Sequence, residues 1–483
     1  MKRTCPFARR IQHGAAFKNC AGIKIVAVVL ETDSVGISLA DSRTEFSARV
    51  PFRMSSYPPQ PFSLPVAKVN ELENLADQLV AETLKTSDTF TAQGRVADKS
   101  QWKVVRQKNN MTAYKTRGPS RFRASIARDN RDETPQLPKL YSTNDKRLYH
   151  ALTETFHGSM YLDDDESDDE LRDRPSFVSA ELNVLENVRP PQATTVFSAG
   201  VVPGTIDDIA MGVHAHSDSL NRAMNADLAA DDSRILCEMH GPSNEDPFRF
   251  LGVTWSSHIA TGFAGHFISP RDYVVLDSTG MALDAHGQRF FYLLKHSIEV
   301  DQVPDFESYG STRLKFSVCY VVRQQGDGEV DIFCRGFMEP LGSMSERFST
   351  YMFCDGLMSV PKFVEEAYKK KLTWLRQTLS QSSGNSTGSF SSKTLPTCPC
   401  CQEKFRTGLA KLLENKSTCS LCELAVCRKC TVTKTEVAIA KEQAHDEVAF
   451  CLNCYLKGKK LSAWQVAIDL LREAEPTTCS GSR

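Results

Sequence analysis

Helical periodicity comes first along the chain, between residues 70 and 84, where apolar side chains recur every three or four positions. Asn70 and Glu73 have the spacing of a capping box, which predicts that the helix begins there. We expect the resulting apolar stripe to face a core. The stripe comprises Leu72, Leu75, Ala76, Leu79 and Leu84.

A strand pattern replaces the helical one from residue 102 onward. Residues 102–106 and 111–117 flank Asn109 and Asn110, a dipeptide that favours a hairpin turn. After residue 193 a strand leads into a helix that Thr205 can cap, and five or six strand-like segments follow. So many antiparallel strands must curl and bury one face against another layer. The later strands are predicted at 194–201, 234–240, 249–258, 273–278, 289–300, 313–323 and 330–337.

The layer over this sheet is predicted to be a helix spanning residues 360–380, with Pro361 in its first turn. Lys369, Lys370 and Lys371 are expected mainly on its solvent side. Its apolar stripe comprises Val364, Tyr368, Leu372, Leu375 and Leu379. A short helix near the C-terminus carries Leu461, Trp464, Ile468 and Leu471.

Segments without a periodic pattern mark the domain boundaries. Residues 1–50 predict a poorly ordered extension, although their basic start and broken apolar run also have the outline of a signal or transit peptide. Residues 118–190, first basic and then acidic, predict a disordered insertion. The remaining units are a domain over 51–379, a Ser/Gly-rich linker over 380–397, a cysteine-rich unit over 398–460, and a short helix and tail over 461–483.

Four Cys-x-x-Cys pairs in the cysteine-rich unit predict two metal sites. A two-residue gap lets two thiolates turn onto one tetrahedral Zn²⁺, so four pairs supply two closed, structural sites. Disulfides in a secreted chain are the alternative, but the other eight cysteines are scattered, which favours zinc and a reducing compartment. Either Cys400 or Cys401 could ligate, and Cys401 keeps the two-residue gap. The predicted ligands are Cys398, Cys401, Cys419, Cys422, Cys427, Cys430, Cys451 and Cys454.

Length and charge narrow the functional classes. The chain has 483 residues, too many for one core, and its hydrophobic content of 41% supports well-packed domains. A formal net charge of -1 and the lack of a basic stripe with aromatics argue against nucleic-acid binding. No apolar run approaches the length of a transmembrane helix, so we expect a cytoplasmic protein that meets endomembranes peripherally.

Stretches between residues 51 and 377 resemble START-like lipid-binding domains. They are QWKVV at 101–105, VVPGT at 201–205, GP at 241–242, PFRFLGVTW at 247–255, RDYVVLDSTG at 271–280 and YLLKHS at 292–297. The resemblance implies an α+β helix-grip fold, in which a curved antiparallel sheet surrounds a long C-terminal helix. It also implies an apolar tunnel that holds one lipid or other hydrophobic molecule.

The cysteine-rich unit resembles a FYVE-type zinc finger in the order of its pairs and in Phe405 after the first pair. The whole chain is similar to oomycete proteins in which a START-like domain precedes such a finger. The resemblance implies interleaved ligands. Cys398, Cys401, Cys427 and Cys430 would hold one Zn²⁺, and Cys419, Cys422, Cys451 and Cys454 the other.

The finger departs from the family members that bind phosphatidylinositol 3-phosphate. Their tryptophan, their Arg/His run and their Arg-Val pair are replaced here, and Lys416 alone remains as a cation. Specific phosphoinositide binding is therefore not expected, because a phosphate needs several convergent donors. Leu409, Leu412 and Leu413 could enter a bilayer or form the small core of the finger.

The leading hypothesis is a non-enzymatic lipid-binding or adaptor protein, with a START-like pocket and a finger that contacts a membrane or a protein partner. The alternative is a RING-like ubiquitin ligase, or a protein-interaction finger without a lipid function. RING domains usually have a His ligand and a shorter central gap, and this chain has neither. Catalysis is not predicted, because no nucleophile or carboxylate motif accompanies His240, His258, His266 or His296.

Overall fold

The computed structural model describes residues 58–117, 184–214, 230–258, 270–306, 310–339, 346–383, 396–405, 416–435 and 447–474. This part of the chain belongs to the α+β class, as predicted, and has a large antiparallel sheet at its centre. Several predictions fall outside the described residues. These are the N-terminal extension, most of the insertion and of the linker, His266, Leu409, Leu412 and Leu413.

The helices and strands of the sheet domain agree with most of the predicted segments. The first half contains α1 (Val66–Ala92), β1 (Trp102–Lys108), β2 (Met111–Thr116), α2 (Val184–Val188), β3 (Thr194–Pro203), α3 (Ile206–Val213), β4 (Ala230–His240) and β5 (Phe250–His258). The second half contains β6 (Arg271–Leu283), β7 (Arg289–Ser297), β8 (Thr312–Arg313), β9 (Phe316–Gln324), β10 (Glu329–Met338), α4 (Glu346–Leu357) and α5 (Pro361–Ser383).

The cysteine-rich unit and the C-terminal helix follow α5. Their elements are β11 (Lys416–Thr418), β12 (Ala425–Cys427), a 3-10 turn (Arg428–Cys430), β13 (Thr431–Thr435), β14 (Glu447–Cys451), α6 (Leu452–Lys459) and α7 (Ala463–Ala474). None of the helices in the described part of the chain is both long and apolar enough to cross a membrane.

The sheet has the strand order β1-β2-β3-β10-β9-β7-β6-β5-β4, with β8 beside β6. The neighbours along this path are antiparallel. The predicted hairpin between β1 and β2 is confirmed: Asn109 and Asn110 have φ angles of 54° and 60°, the left-handed values that a two-residue type I′ turn requires. The edges of the sheet are therefore β1 and β4.

Helix α1 covers one face of the sheet, which we call the outer face. Leu72 and Leu79 share a buried cluster with Trp255 and Leu294 of the strands. The helix begins at Val66, not at the predicted capping box of Asn70 and Glu73. The physical reason is Pro65, whose carbonyl already accepts a hydrogen bond from Val69 N at 3.0 Å.

The opposite face, which we call the inner face, packs against α3, α4, α5 and α7. Helix α3 begins as predicted, because the Thr205 hydroxyl accepts a hydrogen bond from Asp208 N at 3.1 Å. Gly212 lets α3 approach α5 closely, since a Cβ there would lie 1.9 Å from the carbonyl oxygen of Phe363. Val364 and Tyr368 of α5 then join the core cluster of the inner face.

The prediction that the lysines of α5 face solvent is wrong, most clearly at two positions, and the Lys369 side chain also keeps only 13% of its surface exposed. Lys370 and Lys371 are 6% and 1% exposed. Lys371 forms an ion pair with Asp208, and Lys370 donates to the carbonyls of Met211 (2.6 Å) and His214 (2.8 Å). The prediction took the sheet to be the only contact of α5. In the structure, α3 covers a second side of this helix and brings hydrogen-bond acceptors to the two ammonium groups.

The cysteine-rich unit and the C-terminal helix pack against the sheet domain. Leu372 of α5 forms a small cluster with Val448 and Phe450 of the cysteine-rich unit, whereas the predicted stripe residue Leu379 is 42% exposed. Ala463, Val466 and Ala467 of α7 belong to the core cluster of the inner face. The cysteine-rich unit therefore sits on α5, and α7 closes part of the core.

Candidate functional site

The eight predicted metal ligands come together in two groups of four. One group contains Cys398, Cys401, Cys427 and Cys430, and the other contains Cys419, Cys422, Cys451 and Cys454. Within each group the sulfur atoms lie within 4.8 Å of one another. The two groups interleave along the chain in the order that the resemblance implied. Each group could hold a metal ion.

Tight turns aim the first two pairs at their sites. After Cys398, Gln402 has a φ of 62°, and its N–H donates to the Cys398 carbonyl at 2.9 Å. After Cys419, Glu423 has a φ of 57° and makes the same bond to Cys419 at 2.9 Å. These left-handed residues reverse the chain just behind each pair, which turns both thiols of a pair toward the same point.

The sulfur separations suit a metal ion rather than a disulfide. Cys401 Sγ lies 3.7 Å from Cys427 Sγ, and Cys422 Sγ lies 3.9 Å from Cys451 Sγ. A disulfide bond is about 2.05 Å long. Four thiolates around an ion at about 2.3 Å are separated by about 3.8 Å along the edges of the tetrahedron. All four positions of such an ion are filled by the protein, which leaves no open position for a substrate.

Cys400 stands outside both groups. Its thiol accepts a hydrogen bond from Asn453 N and lies beside Cys451 of the other group. Cys401, in contrast, belongs to the group of Cys398. Between the two alternatives left by the sequence, the geometry favours Cys401 as the ligand.

A second cluster of polar side chains lies on the inner face of the sheet, and we call it the inner polar row. Cross-strand partners point to the same face of an antiparallel sheet, so the register alone gathers these residues. The pairs are Ser256 with Tyr273, His258 with Arg271, and Asp277 with Lys295. Sequence reasoning missed this row, although polar residues at alternating positions of β6, among apolar ones, were its signal.

The centre of the row is accessible. Lys295 and Asp277 form an ion pair, and their side chains keep 36% and 12% of their surface exposed. They lie among buried apolar residues of the same face, such as Leu293 and Val318. A charged pair that keeps this much accessible surface among buried apolar neighbours is a candidate position for the polar group of a ligand.

The aromatic part of the row lies toward the start of β6. The His258 ring stacks on Tyr273 with their centroids 5.4 Å apart, and Tyr273 meets Phe316 edge to face at 5.3 Å. Burial lowers the pKa of His258 to about 4, so its imidazole is neutral at pH 7. Burial raises the pKa of Tyr273, against the influence of Lys295. Burial lowers the pKa of Lys295, but Asp277 outweighs it and the net shift is upward.

Arg271 differs from every other member of the row. It is 3% exposed, and its Nε and Nη1 atoms are buried without a hydrogen-bond partner in the described part of the chain. The adjacent Asp272 points to the other face, where it accepts from Trp255 Nε1 and from Arg313 Nε, both at 2.9 Å. Burial lowers the pKa of the Arg271 guanidinium.

The candidate catalytic histidines are not brought together. His240 is exposed and pairs with Glu73 at 3.1 Å beside α1. His296 lies buried on the outer face, where burial lowers its pKa to about 4. His258 lies on the inner face. These three residues therefore occupy separate environments.

Comparisons with known proteins give only a distant likeness. No protein-family model and no curated protein matches the chain. The crystal structure of human STARD10 is similar over 61% of this chain and 84% of that chain, with 9% identity and a TM-score of 0.31. The structure of human StAR-related lipid transfer protein 5 is similar over 59% of this chain and 93% of that chain, with 11% identity and a TM-score of 0.32.

A third solved structure is similar to the same degree. The human StarD13 (DLC2) lipid transfer and protein localization domain covers 59% of this chain and 95% of that chain, with 10% identity and a TM-score of 0.30. These scores are too low to bear on the function of the chain, which has to be inferred from its own residues.

Proposed function

We propose that the chain is a non-enzymatic, START-like lipid-binding protein whose FYVE-type finger is held by two structural Zn²⁺ ions. One observation carries the lipid-binding part: the Lys295–Asp277 pair keeps accessible surface among buried apolar residues of the inner face. A pocket with apolar walls and a few fixed polar groups suits an amphipathic molecule. The sequence resemblance to START-like domains points to the same class of ligand.

The apolar walls have the character that an acyl chain needs. Val275, Phe291, Leu293 and Val318 lie on the inner face beside the polar row. Burying a methylene group contributes about 0.8 kcal/mol, so a long chain along such a wall supplies most of the binding energy. The polar row then orients the ligand, because each of its groups needs a polar partner when water leaves.

The donor set of the finger fits zinc. Thiolates are the ligands of structural Zn²⁺ sites, and the sulfur separations of 3.7 and 3.9 Å agree with a tetrahedron of Zn–S bonds of about 2.3 Å. Zinc measured by mass spectrometry should amount to two ions per chain. Cys427→Ser should lower this number to one, whereas Cys400→Ser, which changes a thiol outside both groups, should leave it at two. Equal losses in both variants would contradict the assigned ligands.

The finger also offers a surface for peripheral contact with a cytoplasmic membrane face. Leu452 and Leu456 of α6 are 39% and 46% exposed, and Lys457 and Lys460 are exposed beside them. Exposed leucines next to lysines suit the boundary of an anionic bilayer. Sedimentation with liposomes should therefore weaken in Leu456→Ser, and unchanged sedimentation would argue for a protein partner instead.

Lipid binding is tested by occluding the proposed space. Val318 lies directly across from Lys295 on the inner face and is 6% exposed. The full chain is incubated with liposomes, purified again, and extracted for mass spectrometry, with an expected yield of about one lipid per chain. Val318→Trp should stay folded and lose the lipid, because the indole takes the space of the ligand.

The matched control is Val104→Trp, at a position that is 49% exposed on the edge strand β1. This variant should retain the lipid. Absence of any lipid from the wild-type chain after incubation would contradict the proposed function.

A further inference from the structure

The Arg271 guanidinium is buried without a counter-ion among the described residues. Its side chain is 3% exposed, and its Nε and Nη1 atoms have no hydrogen-bond partner in that part of the chain. Burial lowers its pKa, and no carboxylate of the described residues contributes an opposing influence. Arginine is almost never fully buried unless it is paired, because a guanidinium removed from water loses strong hydration.

Other buried cations of the molecule show what is missing. Arg335 is also 3% exposed, and it pairs with Glu82 at 2.9 Å. Lys371 is 1% exposed and pairs with Asp208. The chain therefore supplies a carboxylate to a buried cation in two other places. Only a partner from outside the described chain would complete Arg271.

The nearest polar neighbour of Arg271 does not compete for it. His258 is its cross-strand partner, and this imidazole is neutral because burial lowers its pKa to about 4. A neutral imidazole can donate one hydrogen bond to an anion and leaves the guanidinium charge uncompensated. Asp277, the carboxylate of the row, is already held by Lys295. The vicinity of Arg271 is thus rich in donors and has an excess of positive charge.

We infer that Arg271 binds the charged end of the ligand, and that this end is an oxyanion, a carboxylate or a phosphate group, carried on an apolar chain. The inference rests on the proposed lipid-binding function and specifies its ligand class. A guanidinium presents parallel N–H groups that match two oxygens of such a group. His258 donates a further hydrogen bond, and the apolar chain extends along the inner face past Phe316.

The test uses pairs of ligands that share an acyl chain and differ in whether the head group is charged. The full chain, stripped of lipid, is titrated with palmitate and its methyl ester, and with oleoyl lysophosphatidic acid and mono-oleoylglycerol. Acetate and inorganic phosphate serve as free anions without an apolar chain. Wild type should bind the charged member of at least one pair about 10- to 100-fold more tightly, as expected for a charge-assisted hydrogen bond in a buried site.

Substitutions then assign the preference to one side chain. Arg271→Met should abolish the charge preference and leave the affinity for the neutral esters within about twofold. Arg472→Met, at a side chain that is 65% exposed on α7, is the control and should retain the full preference. If Arg271→Met does not fold, Arg271→Lys decides, because a point charge without the guanidinium fork should reduce the preference.

The outcomes separate the two proposals. An undiminished preference in Arg271→Met, or in Arg271→Lys where that variant decides, overturns the role of Arg271, and so does equal binding of charged and neutral ligands by the wild type. In both cases binding of the neutral esters leaves lipid binding standing. Binding of acetate or phosphate as tight as that of the charged lipids overturns the requirement for an apolar chain. Failure of the wild type to bind any chain-bearing ligand overturns both proposals.

Discussion

Each face of the central sheet contains a buried arginine, and the two arginines differ in their hydrogen-bond partners. On the outer face, Arg335 of β10 is 3% exposed, and its Nη1 atom donates to Glu82 Oε1 and Thr86 Oγ1, both at 2.9 Å. On the inner face, Arg271 of β6 is equally buried, and its Nε and Nη1 atoms have no partner in the described part of the chain. The degree of burial is the same, whereas the surroundings differ.

We interpret the paired Arg335 as a structural residue and Arg271 as a candidate for ligand binding. Helix α1 brings an acid to the outer face: Glu82 accepts from Arg335 Nη1 through Oε1 and from Leu185 N through Oε2, both at 2.9 Å, although Nη2 of Arg335 has no partner in the described part of the chain. The helices over the inner face bring no such acid to Arg271. A buried charge without a partner costs stability, and such positions are typical of functional sites, where a ligand can supply the partner. The inner face is therefore the better candidate for a ligand site.

The largest effect is expected from breaking the pair on the outer face. Glu82→Gln leaves Arg335 buried without a carboxylate, and breaking a buried pair in this way costs about 3–5 kcal/mol of the free energy of unfolding. Urea unfolding monitored by fluorescence measures this loss in the free energy of unfolding. The double variant Glu82→Leu with Arg335→Met should recover most of the loss. A loss below about 1 kcal/mol in the single variant would remove the contrast between the faces.

A smaller loss of stability is expected when the pH is lowered. Burial lowers the pKa of His296, on the outer face, from 6.5 to about 4. Between these values the unfolded chain binds a proton that the folded chain does not, so stability falls as pH falls below about 6.5 and levels off near pH 4. At pH 5 the loss from this residue is about 2 kcal/mol.

The variant His296→Phe should remove this part of the pH dependence while keeping an apolar ring in the site. Unfolding by urea at pH 7 and pH 5 measures the difference. His258 on the inner face should contribute a similar slope, because burial lowers its pKa to about 4 as well. An unchanged slope in His296→Phe would show that its imidazole titrates normally in the folded protein.

Substitution of Arg271 is expected to raise stability, whereas the changes above lower it. In the lipid-free protein, Arg271→Met removes a buried charge that has no partner among the described residues, and should raise the free energy of unfolding by about 1–2 kcal/mol. Glu82→Gln and Arg271→Met therefore change stability in opposite directions. Destabilisation of the lipid-free protein by Arg271→Met would show that the guanidinium is already satisfied.

The smallest effect is expected at the surface. Lys315 and Glu299 form an ion pair at 2.6 Å, with side chains that are 45% and 84% exposed. Exposed pairs contribute about 0–1 kcal/mol, because water solvates both charges and salt screens them. Lys315→Met should change the free energy of unfolding by less than 1 kcal/mol. A larger change would mean that ion pairs cannot be ranked by burial in this protein.

The sequence predicted the elements that depend on local patterns. The Asn109-Asn110 turn, the Thr205 cap and the succession of strands follow from backbone preferences and apolar alternation, and the structure confirms them. The eight cysteines that form the two groups were also singled out as candidate ligands, because metal-ligand spacing is local within each pair. Their approach to one another across the chain matches the order that the family resemblance implied.

Contacts between distant segments could not be predicted in the same way. Lys370 and Lys371 were expected in solvent, since nothing in the helical pattern reveals that α3 covers them. The inner polar row depends on the register between β5, β6 and β7, which a single sequence does not fix. Whether Arg271 has a partner among the described residues depends on how distant strands and helices pack around it, which no local pattern reveals.

The inner face as the ligand site is tested most directly by photolabelling. The full chain is irradiated with a fatty acid that carries a diazirine on its acyl chain, and the labelled residues are mapped by mass spectrometry. The account predicts labels on inner-face residues such as Tyr273, Leu293 and Val318, and competition by unlabelled palmitate. Labels confined to outer-face residues such as Cys319 and Val321, or to α6 of the finger, would contradict it.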